Sequence, residues 1–242
     1  VIELRDLTIR LGAFRLDGLS LRVPAGGYTA LVGPSGSGKS VLLRLVAGLL
    51  TPGSGGVWLD GVEATRLPVE RRRLGFVFPS AALFPHLSVE GNLAYGLVAA
   101  GLPGAARAAR VREVARTLGI EGLLARRVDG LSAGEAQRVA LARALAPSPR
   151  VVLLDEPLSH LDAGARLELQ AELGRLHREV GFTALHVTHD QAEASALGQR
   201  LAVLRAGRIV QEGPAGEVRA RPADDFVARF LDPQPAASAP GG

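Results

Sequence analysis

An α/β fold is predicted: a mostly parallel sheet flanked by helices, with a small antiparallel β-subdomain beside it and an inserted helical subdomain. Three observations predict it. Residues 28–32, 151–154 and 182–187 read as buried strands, and 151–154 are apolar without a break, as strands buried on both faces are. The first of these runs into a glycine-rich turn and then a helical pattern, the repeating unit of an α/β sheet. Residues 1–23 alternate apolar and polar side chains, as half-buried antiparallel strands do, and residues from about 88 to 149 read as helix.

Each element follows from its residues. Ile2, Leu4, Leu7, Ile9 and Leu11, then Leu19, Leu21 and Val23, form the buried face of two strands. Residues 28–32 open the main sheet, and residues 41–47 follow as a helix. Residues 51–56 read as a turn, and 57–61 as a short strand reaching an Asp60-Gly61 turn. Residues 74–78 are a second buried strand, stopped by Pro79. Ser88 caps the first inserted helix with Glu90 in its first turn, and Val111, Val114 and Leu118 share one face of the second. The third opens at Leu131-Ser132-Ala133-Gly134-Glu135, where Ser132 and Glu135 make an S-x-x-E capping box.

Strand 151–154 ends in Asp155-Glu156-Pro157. Leu169, Leu173, Leu176 and Val180 are expected on the buried face of the next helix. Strand 182–187 ends at Thr188-His189-Asp190, residues 201–204 and 207–210 pair as a hairpin, and a closing helix reaches about Leu231. Residues 1–231 are expected as one domain, with a core of 1–87 and 150–231 and a helical subdomain of 88–149. Residues 232–242, rich in proline, alanine and glycine, read as a disordered tail.

Composition narrows the classes. Apolar residues make up 47% of 242, enough for a sizeable core. No apolar run approaches the ~20 residues of a membrane span, and no signal peptide opens the chain. Cysteine is absent, which excludes disulfide and thiol chemistry. The net charge of +4 comes from scattered arginines, and with aromatics at 4% no stacking platform for nucleic acid is expected. His86, His160, His177 and His186 show no ligand-like spacing and read as structural.

The chemistry concentrates in Gly33-Pro34-Ser35-Gly36-Ser37-Gly38-Lys39-Ser40, which fits the phosphate-cradling pattern G-x-x-x-x-G-K-[ST]. Such a loop turns its backbone N–H groups toward an anion at a helix N-terminus. Lys39 would reach the β- and γ-phosphates, and the Ser40 hydroxyl would ligate Mg²⁺. Lys39 is the sole lysine of the chain. At the end of strand 151–154, where α/β sheets bind ligands, Asp155 would hold Mg²⁺ and Glu156 would polarise an attacking water. His189, at another strand end, can reach the same γ-phosphate. The helix start at 132–135 would offer its N–H groups as a second anion site.

The order of residues 33–40, 131–135, 151–157, 159–162 and His189 resembles the ATPase subunit of ABC transporters, over essentially residues 1–231. The resemblance implies a P-loop NTPase core binding ATP and Mg²⁺. Residues 33–40, with Val41 after them, look like Walker A, 131–135 like the LSGGQ sequence, and 151–155 like Walker B. Glu156 looks like the catalytic carboxylate, residues 159–162 with Asp162 like the D-loop, and His189 like the switch histidine. It further implies two copies packed head to tail, each ATP lying between Walker A of one and Ser132-Ala133-Gly134-Glu135 of the other. Transmembrane permease subunits and, indirectly, a solute-binding protein are the implied partners, and the inner face of the cell membrane the implied location. Residues 82–89, 91–97 and the chain length resemble importers; residues 10–16 and 38–41 lean toward a molybdate/tungstate or related oxyanion branch.

Three departures stand out. The family's adenine-stacking aromatic has no exact counterpart; Leu11 lies nearest its place, and Phe14 serves either as that platform or as a core residue. Ala133 and Glu135 replace a glycine and a glutamine, and glutamate serves the capping box equally well. Pro79 stands where the family has the Q-loop glutamine, and residues 74–136 contain no glutamine. Two other classes stay open: a poorly hydrolysing nucleotide-binding regulatory module, which Pro79 favours and Glu156 and His189 oppose, and a soluble ABC-type ATPase outside transport.

Overall fold

The computed structural model describes residues 1–231. Strands β1 (Ile2–Leu11), β2 (Phe14–Val23), β4 (Ser54–Leu59) and β5 (Val62–Glu63) form an antiparallel sheet in the order β2-β1-β4-β5. The main sheet has the order β10-β9-β3-β8-β7-β6. It is built from β3 (Tyr28–Val32), β6 (Gly75–Val77), β7 (Val151–Asp155), β8 (Thr183–Val187), β9 (Arg200–Arg205) and β10 (Arg208–Pro214). All its neighbours pair in parallel except the β9–β10 hairpin. The helices are α1 (Lys39–Ala47), α2 (Val89–Ala99), α3 (Gly104–Thr117), α4 (Ala133–Leu145), α5 (Ala163–Val180), α6 (Gln191–Leu197), α7 (Ala215–Ala220) and α8 (Asp225–Leu231). No helix among the described residues is long and apolar enough to cross a membrane.

The unbroken apolar runs are explained by two cores, one on each side of the main sheet. Val151 and Leu153 of β7, with Leu185 and Val187 of β8, join α1 and the antiparallel sheet in one core. Val152 and Leu154 face the other way, onto Val139 and Ala140 of α4 and Leu169, Leu173 and Leu176 of α5. Alternation is therefore present in where the side chains point, and hidden in the composition because both sides are dry. Helix α1 lies between the two sheets with Leu42, Leu43, Leu45 and Val46 fully buried. Ser88 caps α2 and the Ser132–Glu135 capping box is fully formed at α4.

Four details depart from the sequence expectation. Val180 is 57% exposed, and the turn before it buries His177, whose ring meets Tyr28 and Phe182 edge to face. Helix α5 is capped by Gly181 directly after Val180, so its last side chain faces solvent. Residues 54–56 belong to β4 rather than to a turn, because β1 bulges at Asp6 (φ 49°) and Gly55 packs against its carbonyl where a Cβ would collide. The closing helix is two helices, α7 and α8, and Leu11, expected on the buried face of its strand, is exposed at the end of β1. Residues 232–242, read from sequence as a tail, lie outside the described residues.

The C-terminal end of α1 is held by an arginine. Arg72 is buried, donating from Nη1 to the carbonyls of Leu45 (2.9 Å) and Val46 (2.8 Å), from Nε to Leu67 (3.0 Å) and from Nη2 to Thr65 (3.1 Å). Its charge complements the negative end of the helix dipole while satisfying orphan carbonyls. Arg72→Met keeps the bulk and removes every donor. It is expected to cost about 2–4 kcal/mol, seen as a lower midpoint in thermal denaturation.

Candidate functional site

Parallel pairing brings the carboxyl ends of the strands to one edge. Val187 of β8 lies opposite Leu31 of β3 and opposite Asp155 of β7, and Leu154 lies opposite Val77 of β6. The glycine-rich loop, Asp155-Glu156, Thr188-His189 and Phe78-Pro79 all leave the sheet at this edge, where α/β sheets bind ligands.

Residues 33–38 link β3 to α1, as the motif predicts. Gly38 is the N-cap of α1, with φ 108° and the ring of Phe14 lying where a Cβ would be. No side chain caps α1 and no acidic residue occupies its first turn, so the N–H groups of Lys39, Ser40 and Val41 lack an intrahelical partner. They sit at the positive end of the dipole, facing an anion's place. Lys39 is buried, its Nζ donating to the carbonyls of Gly33 (2.8 Å) and Pro34 (3.0 Å). Burial pulls its pKa below the ordinary lysine value, against the opposing pull of Glu156 and Asp155.

The Ser40 hydroxyl donates to Asp155 Oδ1 at 2.9 Å, joining α1 to the end of β7. Burial raises the Asp155 pKa, partly offset by that hydrogen bond. An under-neutralised carboxylate beside a hydroxyl fits a hard divalent cation completed by phosphate and water. Among the described residues no cluster of three or more His, Cys, Asp or Glu forms a cation site from protein groups alone.

Glu156 follows with φ 46°, a left-handed conformation that costs a non-glycine residue of order 1 kcal/mol or more. The turn is held by Glu156 N–H donating to Val187 O (2.9 Å) and by Ser159 Oγ donating to Glu156 O (2.9 Å). It aims the carboxylate at His189, whose Nδ1 lies 3.2 Å from Glu156 Oε2.

The remaining predicted residues are spread more widely. Phe14 is half-buried with its ring on Gly38, while Leu11 is exposed. Asp162 caps α5, accepting from Ala165 N–H at 3.0 Å. Ser132, Ala133, Gly134 and Glu135 form the start of α4, near Ala165 of α5. The backbone of Ser132 donates to the Glu135 carboxylate and lowers its pKa. No described hydrogen bond or ion pair joins 132–135 to the glycine-rich loop of the same chain.

Several participants were not singled out from sequence. Arg166 donates to Leu161 O (3.2 Å) and lies 3.5 Å from Asp190, tying residues 159–162 to the turn that carries His189. Thr188 and Glu193 hydrogen-bond beneath that turn. Gln137, one residue beyond the glutamine-free interval, donates to Phe78 O at 3.4 Å, a long contact just before Pro79. The loop after Pro79 is fixed from α4, Arg143 donating to Ala81 O and Ala82 O, both residues having positive φ. A capping aspartate at 190 with a glutamate three residues on was the available signal for Glu193; nothing local marks Arg166.

Comparison with known proteins places the chain among its relatives. Residues 16–159 match the family model described as ABC transporter, more than half of the chain. A molybdate/tungstate import ATP-binding protein of Thermococcus kodakarensis is 47% identical over 90% of this chain and 66% of its own length. A sulfate/thiosulfate import ATP-binding protein of Mycobacterium tuberculosis is 49% identical over 95% and 66%. An Fe(3+) ions import ATP-binding protein of Streptomyces coelicolor is 48% identical over 96% and 67%. The chain thus spans about two thirds of the length of these relatives. Among solved structures, a dimeric ATP-binding cassette in a post-hydrolysis state with ADP and Pi superposes with a TM-score of 0.79 at 30% identity, covering 88% of this chain and 98% of that one. The α/β architecture with its glycine-rich loop, and a match across residues 16–159, lead to one conclusion: the chain belongs to the ABC transporter family.

Proposed function

We propose that this chain is the ATP-binding and ATP-hydrolysing subunit of a membrane importer, and that its solute is a small oxyanion. The observation that carries the reading is the convergence of Lys39, Ser40, Asp155, Glu156 and His189 on one sheet edge, with a 2.9 Å Ser40–Asp155 bond and a 3.2 Å Glu156–His189 contact. The oxyanion assignment rests on residues 10–16 and 38–41 and on two of the relatives, whose names specify molybdate/tungstate and sulfate/thiosulfate.

In this reading the ATP phosphates displace the Gly33 and Pro34 carbonyls as partners of Lys39 and accept from the free N–H groups that open α1. Adenine lies toward Phe14. Ser40 and Asp155 would hold Mg²⁺, which would supply positive charge against the phosphates. Glu156 orients a water in line with the γ-phosphorus and takes its proton as ADP leaves. His189 steadies that carboxylate and meets the γ-phosphate.

A second copy of the chain supplies Ser132, Ala133, Gly134 and Glu135 to the same ATP, with Asp162 at the seam. Packing two copies head to tail completes charge neutralisation that one chain achieves only in part. The helical segment 88–149 works as a subdomain, core residues 1–87 and 150–231 work as the nucleotide unit, and ATP-driven closure of the pair is passed to the permease subunits. A solute-binding protein acts upstream, the subunit sits peripherally on the cytoplasmic face of the membrane, and nucleic acid is not a partner.

Lys39→Ala is expected to abolish ATP binding or hydrolysis, since no other lysine exists to replace it; a coupled-enzyme ATPase assay with nucleotide-binding measurements checks this. Glu156→Gln is expected to bind ATP, hydrolyse it slowly and accumulate dimers under saturating Mg-ATP. Light scattering that shows only monomer would sink the two-copy model for the isolated subunit. Pro79 lacks the side-chain amide of its counterpart in relatives and fixes φ, so turnover of the isolated subunit should be reduced about 10–100-fold, or about 1.4–2.7 kcal/mol. Pro79→Gln should raise kcat more than it changes ATP affinity. Equal kcat values in steady-state kinetics would mean another group already fills that role.

A further inference from the structure

Beneath the turn that presents His189 runs a chain of buried polar groups. The Tyr28 hydroxyl of β3 lies 2.8 Å from His186 Nδ1 of β8. His186 Nε2 lies 2.9 Å from Glu193 Oε1 of α6, close enough for pairing though poorly aligned for a hydrogen bond. Thr188 Oγ1 donates to Glu193 Oε2 at 2.6 Å, and the Asp190 N–H donates to Thr188 Oγ1 at 2.9 Å. Tyr28, His186, Thr188 and Glu193 are all buried, Glu193 being only 3% exposed.

The order of donors is determined by what each group can do. Thr188 Oγ1 accepts from the Asp190 amide, so its own proton goes to the carboxylate. A phenol whose pKa burial and the Glu193 charge push upward stays protonated and donates to His186 Nδ1. The imidazole then carries its proton on Nε2, toward Glu193. The chain thus ends on one carboxylate, which accepts from Thr188 and has His186 Nε2 beside it. Burying a carboxylate is expensive, and apolar side chains could join β3, β8 and α6 at lower cost. Packing alone therefore gives no reason for a glutamate at 193.

Its effect on the turn does. The His189 side chain is 60% exposed, and among the described hydrogen bonds and ion pairs its one side-chain contact is with Glu156. Its position is set by the backbone on either side. Thr188 N–H is tied to Leu31 O at 3.3 Å, and Asp190 N–H to the Thr188 hydroxyl, whose direction Glu193 fixes. Arg166 holds the Asp190 carboxylate from the opposite side at 3.5 Å. We infer that Glu193 is a positioning residue for ATP hydrolysis, acting through the Thr188 hydroxyl to hold His189 against Glu156. This rests on the reading that His189 and Glu156 work together on ATP.

The test compares Thr188→Val, which keeps shape and loses the hydroxyl, with Thr188→Ser, which restores it, and with Glu193→Gln and His189→Ala. Steady-state ATPase kinetics and thermal midpoints are measured on the full chain. Thr188→Val is expected to lower kcat about tenfold with KM for ATP within about twofold, since small misplacements of a reacting group act on rate more than on binding. Thr188→Ser is expected to recover most of kcat. Glu193→Gln, equal in size, is expected to lower kcat in the same direction and is decisive if Thr188→Val does not fold. Wild-type kcat in these variants beside a slow His189→Ala overturns the positioning role alone. So does a loss of kcat accompanied by matching losses of ATP affinity and thermal stability, which marks a merely structural contact. Wild-type kcat in His189→Ala overturns the underlying reading, and the positioning role with it.

Discussion

Burial of the central strands on both faces is the constraint from which the site follows. Because β7 and β8 are dry on both sides, their registers are held by two cores at once, and a slip would misplace side chains on both faces. Their carboxyl ends therefore stop at matched positions, with Asp155 beside Val187. The first carboxylate on these strands is Asp155, the last residue of β7, and the dry core ends there. Helix α1 occupies one of the two cores, which gives Ser40, at the end of the glycine-rich loop, a fixed partner in Asp155.

Electrostatics divides the work along α1. At the buried C-terminal end, Arg72 supplies the positive charge and the donors that the carbonyls require. At the N-terminal end nothing supplies the negative charge, and Lys39 folds back on two carbonyls of its own loop. Helices α2, α4, α5 and α6 by contrast carry capping side chains at Ser88, Ser132, Asp162 and Asp190. Leaving α1 without one keeps its first-turn N–H groups for a ligand.

Most of the fold was legible because strong local signals agreed with the final packing. The apolar runs, the glycine-rich loop and the Ser132–Glu135 box each matched the sequence expectation. Local pattern failed where tertiary contact decided. Helical spacing placed Val180 inside, but α5 ends there and His177 has the aromatic neighbours that bury it. Gly55 looked like a turn residue, yet its reason is a bulge in another strand. The meeting of Glu156 with His189 was foreseeable from two strand ends in one sheet. The chain from Tyr28 to Thr188 was not, since it joins residues up to 165 apart through hydrogen bonds and a close His186–Glu193 contact that leave no sequence periodicity.

The left-handed backbone at Glu156 has an evolutionary side. Asparagine tolerates that conformation better than glutamate does, so the most comfortable residue at this position lacks the carboxylate. Selection for robustness alone would drift toward it, and under the catalytic role proposed for Glu156 only demand for ATP turnover would hold the glutamate in place. Thermostabilising screens scored by folding without activity therefore carry a built-in bias at residue 156 away from the carboxylate.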